Sequence, residues 1–575
     1  MFKTLYNPAG HNMKKVMNFI FASIRVNILL FCALAVQPLY AQDYLSNFML
    51  ANWAKIQHQY LNAQGYIEKL PESSFEQDAV NKVAMQIYLR LGEFDQALKY
   101  ANSIVVNNPL DPQANLIIIA NIINEGDFDK ALGLSQSNDW LDYRQTFFQG
   151  WAYYGIGATQ SSRAIWDSEA MSQFPHLGSY SSSQILASQG KYEEAVERLG
   201  DLTEYHDSVR LEALYLYLKL QMKLENEDAI EALAANENFS NTDPQAVKIN
   251  NLLAYHEQGV IPYLDFDLTA NKGLYDSLMV FSRLLQSNFP EDTLETQRLA
   301  AVIYSEDPLV YLETAEYLSY LESNDLALAT LDQIPDSLNY ALPEAIYRAD
   351  ILIRDDKIGE GIEVLKKTTQ RFGGNDELWF KLGEFQYFDQ QYVEATVSIT
   401  NGLELINEDS PNYTWYPFYV RGGAFDFIED YERMESDFRK ALELDPDNDQ
   451  VLNHFGYSLA VRNTQLEQAE MMIKRALEQS PKNGAYLDSL GWVYFRMGRY
   501  EDAERYLLEA NLISPNEFEI IDHIGDLYWV TDRQEEARNE WQRALELDPT
   551  EKIGNMIKRK LELGLEEAER WGSSN

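Results

Sequence analysis

The chain of 575 residues is too long to fold around one hydrophobic core, so it must contain several domains or an array of repeats. Hydrophobic residues make up 46% and aromatic residues 13% of it, enough apolar surface to exclude a disordered chain. The formal net charge of −43 comes from 90 acidic and 47 basic residues. This excess opposes binding to a phosphate backbone, so we expect no nucleic-acid partner.

The first 41 residues are predicted to be a cleavable export signal. Basic residues precede the apolar run ILLFCALAV at 28–36, and cleavage is expected after the small residue Ala41. The run is nine residues long, whereas a helix that crosses a bilayer needs about 20 apolar residues. Met13 and Met17 are alternative start residues. The sequence therefore predicts a periplasmic protein, with association with the outer membrane left open.

Cys32 is the single cysteine of the chain. Acylation of its thiol is not expected, because bacterial lipidation sites place a small residue before the cysteine and Phe31 stands there. Removal of residues 1–41 leaves a chain without cysteine. Disulfides, thiolate metal sites and cysteine nucleophiles are therefore excluded from the predicted mature protein.

Small residues and prolines recur at fixed spacing towards the C-terminus. Glycine, two alanines and a proline follow one another at intervals of 12, 7 and 5 residues in two segments 34 residues apart: Gly491, Ala503, Ala510, Pro515 and Gly525, Ala537, Ala544, Pro549. Less regular copies precede them: Gly456, Ala469, Ala476, Pro481 and Gly422, Met434, Ala441, Pro446. The first alanine position alone continues through Ala327, Gly361 and Ala395, and an earlier series contains Ala97, Ala131, Ala164, Ala195 and Ala229. Such periods indicate repeats, here in two arrays.

Each repeat is predicted to form two amphipathic helices joined by a polar turn. Apolar residues recur at spacings of three and four in YLDSLGWVYFRM and again in AERYLLEANLI. Gly498 is expected to end the first helix in a left-handed conformation, and Pro515 ends the second because the residue before a proline is disfavoured in a helix. The small residues Gly491, Ala503 and Ala510 would let neighbouring helices approach closely.

This pattern closely resembles the tetratricopeptide repeat, whose consensus spans about 34 residues. The positions that fit it are Leu490, Gly491, Tyr494, Ala503, Leu507, Ala510 and Pro515. The resemblance is strong for residues 376–549 and moderate for 78–231 and 308–371. It implies an all-α fold, a right-handed α-solenoid of helix hairpins in two arrays with a C-terminal capping helix. The layout also resembles large exported repeat proteins of Gram-negative, especially alphaproteobacterial, bacteria.

The chain is expected to be organised around one interruption. Helical periodicity breaks in HEQGVIPYLDFDLTANKG at 256–273, where Pro262 and Gly273 stand. A terminal helix with a polar face is expected because the ends of a stack need one for solubility. The predicted segments are a signal peptide (1–41), a lead-in segment (42–76), a degenerate N-terminal array (77–255), an irregular helical junction (256–304), a C-terminal array (305–550) and a capping helix with tail (551–575).

The predicted binding site is a groove lined by the first helices of the C-terminal repeats. The resemblance implies that these helices form the concave face and hold extended peptides or partner helices. Periodicity alone does not separate a groove aromatic from one buried between repeats, so both interpretations stay open for each aromatic residue. The residues predicted to line the groove are Tyr416, Tyr419, Asn453, Tyr457, Asp488, Trp492, Phe495, Arg496, Asp522, Asp526 and Trp529.

The groove residues suggest the chemistry of the partner. Asp488 and Asp522 stand where carboxylate-binding members of the superfamily need neutral or basic groups, so that use is not expected. Carboxylates beside Trp492 and Trp529 favour a protein segment rich in Lys or Arg, through ion pairing and cation–π contacts. A neutral glycan stacked on the tryptophans is the alternative, in a scaffold for exopolysaccharide export.

No catalytic, cofactor or metal-binding motif is present in the sequence. DPDND at 445–449 resembles a calcium loop, but Gln450 and Gly456 stand where that loop needs Gly and Glu, so we interpret it as a turn. His454 and His523 occupy matching repeat positions, which indicates packing more than a metal pair. We predict a non-catalytic adaptor of the cell envelope that binds protein partners, with at most peripheral association with a membrane complex.

Overall fold

The computed structural model shows a helical protein, and the predicted all-α class is confirmed. The predicted signal peptide (1–41) lies almost wholly outside the described residues. The residues that the structure describes are 39–137, 143–205, 207–236, 244–257, 264, 266–334, 340–408, 410, 412–547 and 551–565.

The helices form two compact units, which divide between Phe372 and Gly373. The N-terminal unit contains α1 (Leu39–Ile56), α2 (Tyr60–Ile67), α3 (Asp78–Leu91), α4 (Phe94–Asn107), α5 (Pro112–Asn124), α6 (Phe128–Ser137), α7 (Tyr143–Gly155), α8 (Thr159–Trp166), α9 (Pro175–Ser188), α10 (Tyr192–Leu199), α11 (Asp207–Lys223), α12 (Glu227–Asn236), α13 (Pro244–Glu257), α14 (Ala270–Leu285), α15 (Pro290–Ile303), α16 (Leu309–Tyr320), α17 (Asn324–Leu331), α18 (Ala341–Arg354) and α19 (Ile358–Phe372). Short 3-10 helices lie at Glu72–Glu76, Glu169–Met171 and Leu202–Glu204.

The C-terminal unit is a row of hairpins followed by one further helix. Its helices are α20 (Asp376–Phe388), α21 (Tyr392–Glu404), α22 (Trp415–Phe427), α23 (Tyr431–Leu444), α24 (Asp449–Val461), α25 (Leu466–Gln479), α26 (Gly484–Arg496), α27 (Tyr500–Ile513), α28 (Phe518–Val530), α29 (Gln534–Glu546) and α30 (Glu551–Leu563). The two helices of each hairpin pack together, and successive hairpins stack on each other. The predicted capping helix is thus α30; residues 566–575 of the tail lie beyond the described part.

The small residues of the repeat lie where helices touch. Ala503 and Ala510 are completely buried. A Cβ atom on Gly491 would come within 2.7 Å of Leu507 Cγ, so only glycine permits the observed approach of α26 to α27. Close packing at these positions explains why the spacing recurs in the sequence.

The turn between the helices of each hairpin places one residue in the left-handed region. Gly498 has φ +74°, and the N–H groups of Gly498 and Arg499 donate to Phe495 O and Tyr494 O at 2.9 Å, as predicted for a helix end. Other turns place a polar residue there at the cost of some strain, among them Glu225, Glu322, Asp356, Gln390, Glu429 and Asp532.

Residues 256–304 are predicted from the sequence to be an irregular junction between two arrays. In the structure, most of the described residues in this range form two regular helices. Helices α14 and α15 account for most of the described residues here and pack on the first helices of the N-terminal unit. Gly273 interrupts no helix. It lies inside α14 against Trp151, whose ring would come within 2.3 Å of an added Cβ. The division between the compact units falls at Phe372 instead.

The lead-in segment predicted at 42–76 is also regular. It contains most of α1, all of α2 and the 3-10 helix Glu72–Glu76. Ala51, Ala54, Tyr60 and Ala63 are fully or almost fully buried, so these helices belong to the core of the N-terminal unit.

Candidate functional site

The first helices of the C-terminal hairpins form one continuous face. Helices α22, α24, α26 and α28 each lie beside the next in this order. Side chains one repeat apart in the sequence therefore become neighbours in space. The predicted groove residues all lie on these helices: Tyr416 and Tyr419 on α22, Asn453 and Tyr457 on α24, Asp488, Trp492, Phe495 and Arg496 on α26, Asp522, Asp526 and Trp529 on α28.

A buried ion pair and an aromatic stack occupy the centre of this face. Nδ1 of His523 lies 2.9 Å from one oxygen of Asp488 and 3.1 Å from the other. The His523 ring is nearly parallel to the Trp492 ring, with centroids 4.1 Å apart. Trp492 in turn stacks on Phe495, at 4.7 Å between centroids. The rings of Trp492 and Phe495 therefore pack against each other and against His523 at the centre of this face.

The charge of His523 is set by its carboxylate neighbours. Burial alone would lower the pKa of this imidazole, but Asp488, with Asp522 and Asp526 farther away, raises the pKa to about 9. His523 is therefore positively charged at neutral pH. Asp488 is 2% exposed, so its negative charge is already paired inside the chain.

The capping helix supplies a second internal cation. Nζ of Lys560 on α30 lies 2.7 Å from carboxylate oxygens of both Asp522 and Asp526. Asp526 also accepts a hydrogen bond of 2.9 Å from Nε1 of Trp541. Burial raises the pKa of Asp526 to about 7, against the opposing effect of Lys560. Asp522 and Asp526 of α28 therefore share a partner on the capping helix α30.

Sequence analysis missed both cations, although one pattern could have revealed Lys560. Lys560 follows Asp526 by 34 residues, which is the repeat period, so the ammonium group comes to lie beside the carboxylate. His523 had been interpreted as a packing residue, and it does pack on Trp492, but it also neutralises Asp488. The predicted groove therefore carries less uncompensated negative charge than its aspartates alone would give it.

The predicted residues on α22 and α24 are mostly aromatic. The hydroxyl of Tyr416 donates to Glu384 Oε1 at 2.6 Å. Tyr419 is 8% exposed, and burial raises the pKa of its hydroxyl. The Tyr457 ring lies 6.3 Å from His523 and thereby joins the central cluster, and burial raises the pKa of Tyr457 as well. Asn453 is 7% exposed.

The remaining predicted residues divide into two groups. The Arg496 guanidinium lies 5.9 Å from the centroid of the Trp492 ring, at the edge of the central cluster. Trp529 lies elsewhere, with its ring 5.3 Å from Trp541 and against Gly564 next to the capping helix. Trp492 and Trp529 therefore do not form one aromatic surface.

Three buried polar atoms of the predicted groove residues have no hydrogen-bond partner. They are Nε1 of Trp492, Oδ1 of Asn453 and Oδ1 of Asp522. An unpaired buried donor or acceptor costs about 1–3 kcal/mol, so folded proteins seldom leave such atoms without a partner. One donor and two acceptors are thus unsatisfied, and because they are buried, a ligand reaches them only when the side chains that cover them shift.

None of the helices in the part of the chain that the structure describes combines the length and apolar character needed to span a bilayer. Within the same residues, no group of three or more His, Asp or Glu side chains is arranged to hold a metal ion.

Parts of the C-terminal unit are similar in sequence to known repeats. Residues 418–448 and 458–516 match models described as tetratricopeptide repeat. A TPR repeat-containing protein of Pseudomonas aeruginosa is 31% identical over 173 residues, 30% of this chain. The match spans 28% of the length of that relative. The chain therefore contains tetratricopeptide repeats and folds as an all-α solenoid of helix hairpins.

Two solved structures with similar helical arrays align over nearly the whole of their own length. The APC/C hetero-tetramer Cut9–Hcn1 aligns with 90% of this chain and 95% of its own, at 15% identity and a TM-score of 0.37. A tetratricopeptide repeat protein from Parabacteroides merdae aligns with 45% of this chain and 99% of its own, at 16% identity and a TM-score of 0.39. Tetratricopeptide repeats generally serve as non-catalytic scaffolds for protein–protein interaction.

Proposed function

We propose that the protein is a non-catalytic scaffold whose C-terminal unit binds a segment of a partner protein along α24, α26 and α28. The observation that carries this proposal is the set of unpartnered buried atoms, Trp492 Nε1, Asn453 Oδ1 and Asp522 Oδ1. All three belong to the face that sequence analysis selected. An interaction scaffold is also the usual role of the repeats in this chain.

The unpartnered atoms suit the main chain of a peptide. A peptide group offers one N–H donor and one carbonyl acceptor. The indole N–H of Trp492 would donate to a carbonyl, and Asn453 and Asp522 would accept from N–H groups. A ligand that satisfies these atoms recovers the cost of leaving them unpaired, and this gain favours a rearrangement of the side chains that now bury them.

The internal cations change what charge contributes to binding. The expectation of a partner rich in Lys or Arg rested on Asp488, Asp522 and Asp526 as available carboxylates. Asp488 and Asp526 already pair with His523 and Lys560. We therefore propose main-chain hydrogen bonding as the principal attraction, with Asp522 Oδ1 as the one carboxylate atom left for a basic side chain. Affinity should accordingly depend only weakly on salt.

A paired substitution tests the proposal. Trp492→Phe keeps an aromatic ring for the stack on His523 but removes the N–H donor, so capture of envelope proteins by the purified chain should fall. Trp53→Phe, at a half-exposed tryptophan of α1, is the matched control and should leave capture unchanged. Equal recovery of the same proteins by wild type and Trp492→Phe would reject this face as the binding site.

The glycan alternative has less support from this arrangement. A sugar ring binds an aromatic residue through a free ring face. The Trp492 ring already stacks with both Phe495 and His523, and Trp529 packs on Trp541. Retention of purified exopolysaccharide by wild type but not by Trp492→Phe would favour the glycan role over the protein role.

We also propose that the chain acts in the cell envelope after export. The support is the apolar run at 28–36 with basic residues before it and Ala41 behind it. Mass spectrometry of the protein purified from its native host should give a mature N-terminus at Gln42 in the periplasmic fraction. Recovery of the intact N-terminus from the cytoplasm would refute the proposed location.

A further inference from the structure

A hairpin of the chain itself lies on the first helices of the N-terminal unit. Helix α15 packs on α3 and α5, and α14 packs on α7, α9 and α11. All five of these partners are first helices of their hairpins, which correspond to the binding face of the C-terminal unit. In the N-terminal unit this face is therefore covered by residues 270–303.

Ion pairs attach α15 to the face. Arg90 on α3 is 1% exposed, and its Nη2 lies 2.8 Å from Glu291 Oε2 and 2.8 Å from Glu295 Oε1. Gln113 on α5 donates to the other oxygen of Glu295 at 2.5 Å. Arg144 on α7 lies 3.5 Å from a carboxylate oxygen of Asp292. The hairpin thus presents three carboxylates to two arginines of the face.

Helix α14 is held by hydrogen bonds and by an ion pair of the opposite polarity, in which Arg283 Nη2 lies 3.4 Å from Glu212 Oε1 on α11. Nε1 of Trp151 donates to Ser277 Oγ at 2.9 Å, and that hydroxyl lies 3.2 Å from Ser181 Oγ on α9. Gln184 on α9 donates to Asp276 at 2.7 Å. The absence of a side chain at residue 273 lets the Trp151 ring lie directly on α14. These contacts set the register of the hairpin on the face.

Arg298 links α15 to the C-terminal end of α3. Its Nε donates to the carbonyl oxygen of Arg90 at 3.0 Å and its Nη2 to Thr330 Oγ1 at 3.2 Å. Burial lowers the pKa of Arg298 to about 10, and the carbonyl groups at the C-terminus of α3 offset part of that cost. Gly92, with φ +85°, leaves the space that the guanidinium occupies.

We propose that the first-helix face of the N-terminal unit is a binding surface for a helical hairpin whose second helix begins with carboxylates, and that α14–α15 occupies it as a built-in ligand that excludes partner proteins. Arg90 and Arg144 make the part of the face under α15 basic, and Glu291, Asp292 and Glu295 complement it there. Under α14 the signs are reversed, with Arg283 of the hairpin beside Glu212 of α11. This proposal goes beyond the protein-binding role proposed for the C-terminal unit. It concerns the first-helix face of the N-terminal unit, which the hairpin α14–α15 covers.

The test uses the full chain and a labelled synthetic peptide of residues 270–303 as the probe. Glu291→Gln with Glu295→Gln keeps the shapes of both side chains but removes their charges, so the resident hairpin should open more often. Uptake of the peptide, measured by fluorescence anisotropy, should be negligible for wild type and about tenfold or more higher for this variant. Glu470→Gln, which removes a surface ion pair with Lys474 in the C-terminal unit, is the control and should match wild type.

A reversible lock separates occupancy from a general loss of structure. Ser181→Cys and Ser277→Cys replace hydroxyls 3.2 Å apart, and Cys32→Ser removes the natural thiol. Oxidation should tie α14 to α9 and abolish peptide uptake by the Glu291→Gln, Glu295→Gln chain, and reduction should restore it.

The proposal is overturned if wild type takes up the peptide as well as the variant does, or if the oxidised lock leaves uptake unchanged. Should the multiple variant fail to fold, the two cysteines in the otherwise wild-type chain carry the test. Peptide uptake by that chain should be negligible in both the oxidised and the reduced state, and clear uptake in the oxidised state would overturn the proposal.

Discussion

His523 is the residue at which charge and packing of the C-terminal unit meet. Its pKa of about 9 lies above the ordinary value of 6.5, so the folded chain binds this proton more tightly than the unfolded chain does. The resulting stabilisation is complete below pH 6.5 and is lost as the pH rises through 9. Asp526, whose pKa is also raised, changes stability in the same direction but at lower pH.

The first prediction concerns this pH dependence. The free energy of opening of α26 and α28 should fall by up to about 3 kcal/mol between pH 6.5 and 9.5, because the ion pair with Asp488 loses its proton. His523→Gln should remove most of this slope. Hydrogen exchange, corrected for the intrinsic rate at each pH, measures it. His256→Gln in the N-terminal unit is the control, and an equal slope in wild type and His523→Gln would contradict the assignment.

Gly491 provides the second prediction at the scale of single residues. Alanine is normally better than glycine inside a helix by about 1 kcal/mol. Here an added Cβ would meet Leu507 at 2.7 Å, so Gly491→Ala should instead destabilise the C-terminal unit by about 1–3 kcal/mol. Gly133→Ala, inside α6 with nothing within 4 Å of the added atom, should be stabilising. Urea denaturation of both variants compares them, and stabilisation by both would show that the close approach is easily relieved.

At the scale of elements, α30 does more than cover the last hairpin. Lys560 is 5% exposed and holds both Asp522 and Asp526. Removal of one partner from a buried ion pair leaves the other charge uncompensated, which costs more than the pair itself contributes. The capping helix is therefore part of the charge balance of α28.

The third prediction follows from this charge balance. Lys560→Met should destabilise α28 and α29 by about 3–5 kcal/mol, because two carboxylates would remain buried without a cation. Lys558→Met, on the exposed side of α30, should change stability by less than about 0.5 kcal/mol. Hydrogen exchange of α28–α30 distinguishes the two, and similar protection in both variants would exclude a charge role for Lys560.

The sequence predicted the hairpins well because their contacts are local. The spacing of Gly491, Ala503 and Ala510 reports the packing of adjacent helices, and Gly498 ends α26 as predicted. The candidate site was predicted less completely. Its residues were placed on the right helices, but their burial and the pairing of Asp488 depend on which side chain the next repeat contributes.

Contacts between distant repeats were outside the reach of spacing arguments. Arg90 and Glu295 are 205 residues apart, and the repeat spacing alone does not predict that these two side chains meet. Whether a hairpin returns to an earlier face depends on the small rotation added at every repeat, which accumulates along the array. Residues 256–304 therefore looked like a junction, although α14 and α15 are part of the core.

At the scale of the whole molecule, the two units differ in how far their contacts reach. In the C-terminal unit the described hairpins contact their neighbours along the row. In the N-terminal unit, Ser323 Oγ donates to His58 O at 2.5 Å, 265 residues apart, and Arg90 pairs with Glu295. A row of neighbour contacts opens from its ends, whereas long-range contacts make a unit open as a whole.

The fourth prediction is a difference in cooperativity. Protection from hydrogen exchange should be graded along α20–α30, lowest in the terminal hairpins, because each hairpin is held only by the next. In the wild-type chain, where the ion pairs of Glu291 and Glu295 are intact, protection should be similar in α3, α5, α14 and α15. Mass spectrometry of exchanged peptides in mild urea measures both patterns. A gradient of the same form in the N-terminal unit would mean that the contacts of Arg90 and Ser323 contribute little.

The return of α14–α15 to the first helices also decides where the chain can be divided. A recombinant fragment that stops near residue 257 would uncover Trp151 and the unpaired guanidinium of Arg90, both fully buried in the intact unit. Such a fragment should bind promiscuously to chaperones and precipitate on concentration. A fragment that ends at Phe372 retains α14 and α15, which cover these two residues. It is therefore the N-terminal fragment suited to separate expression.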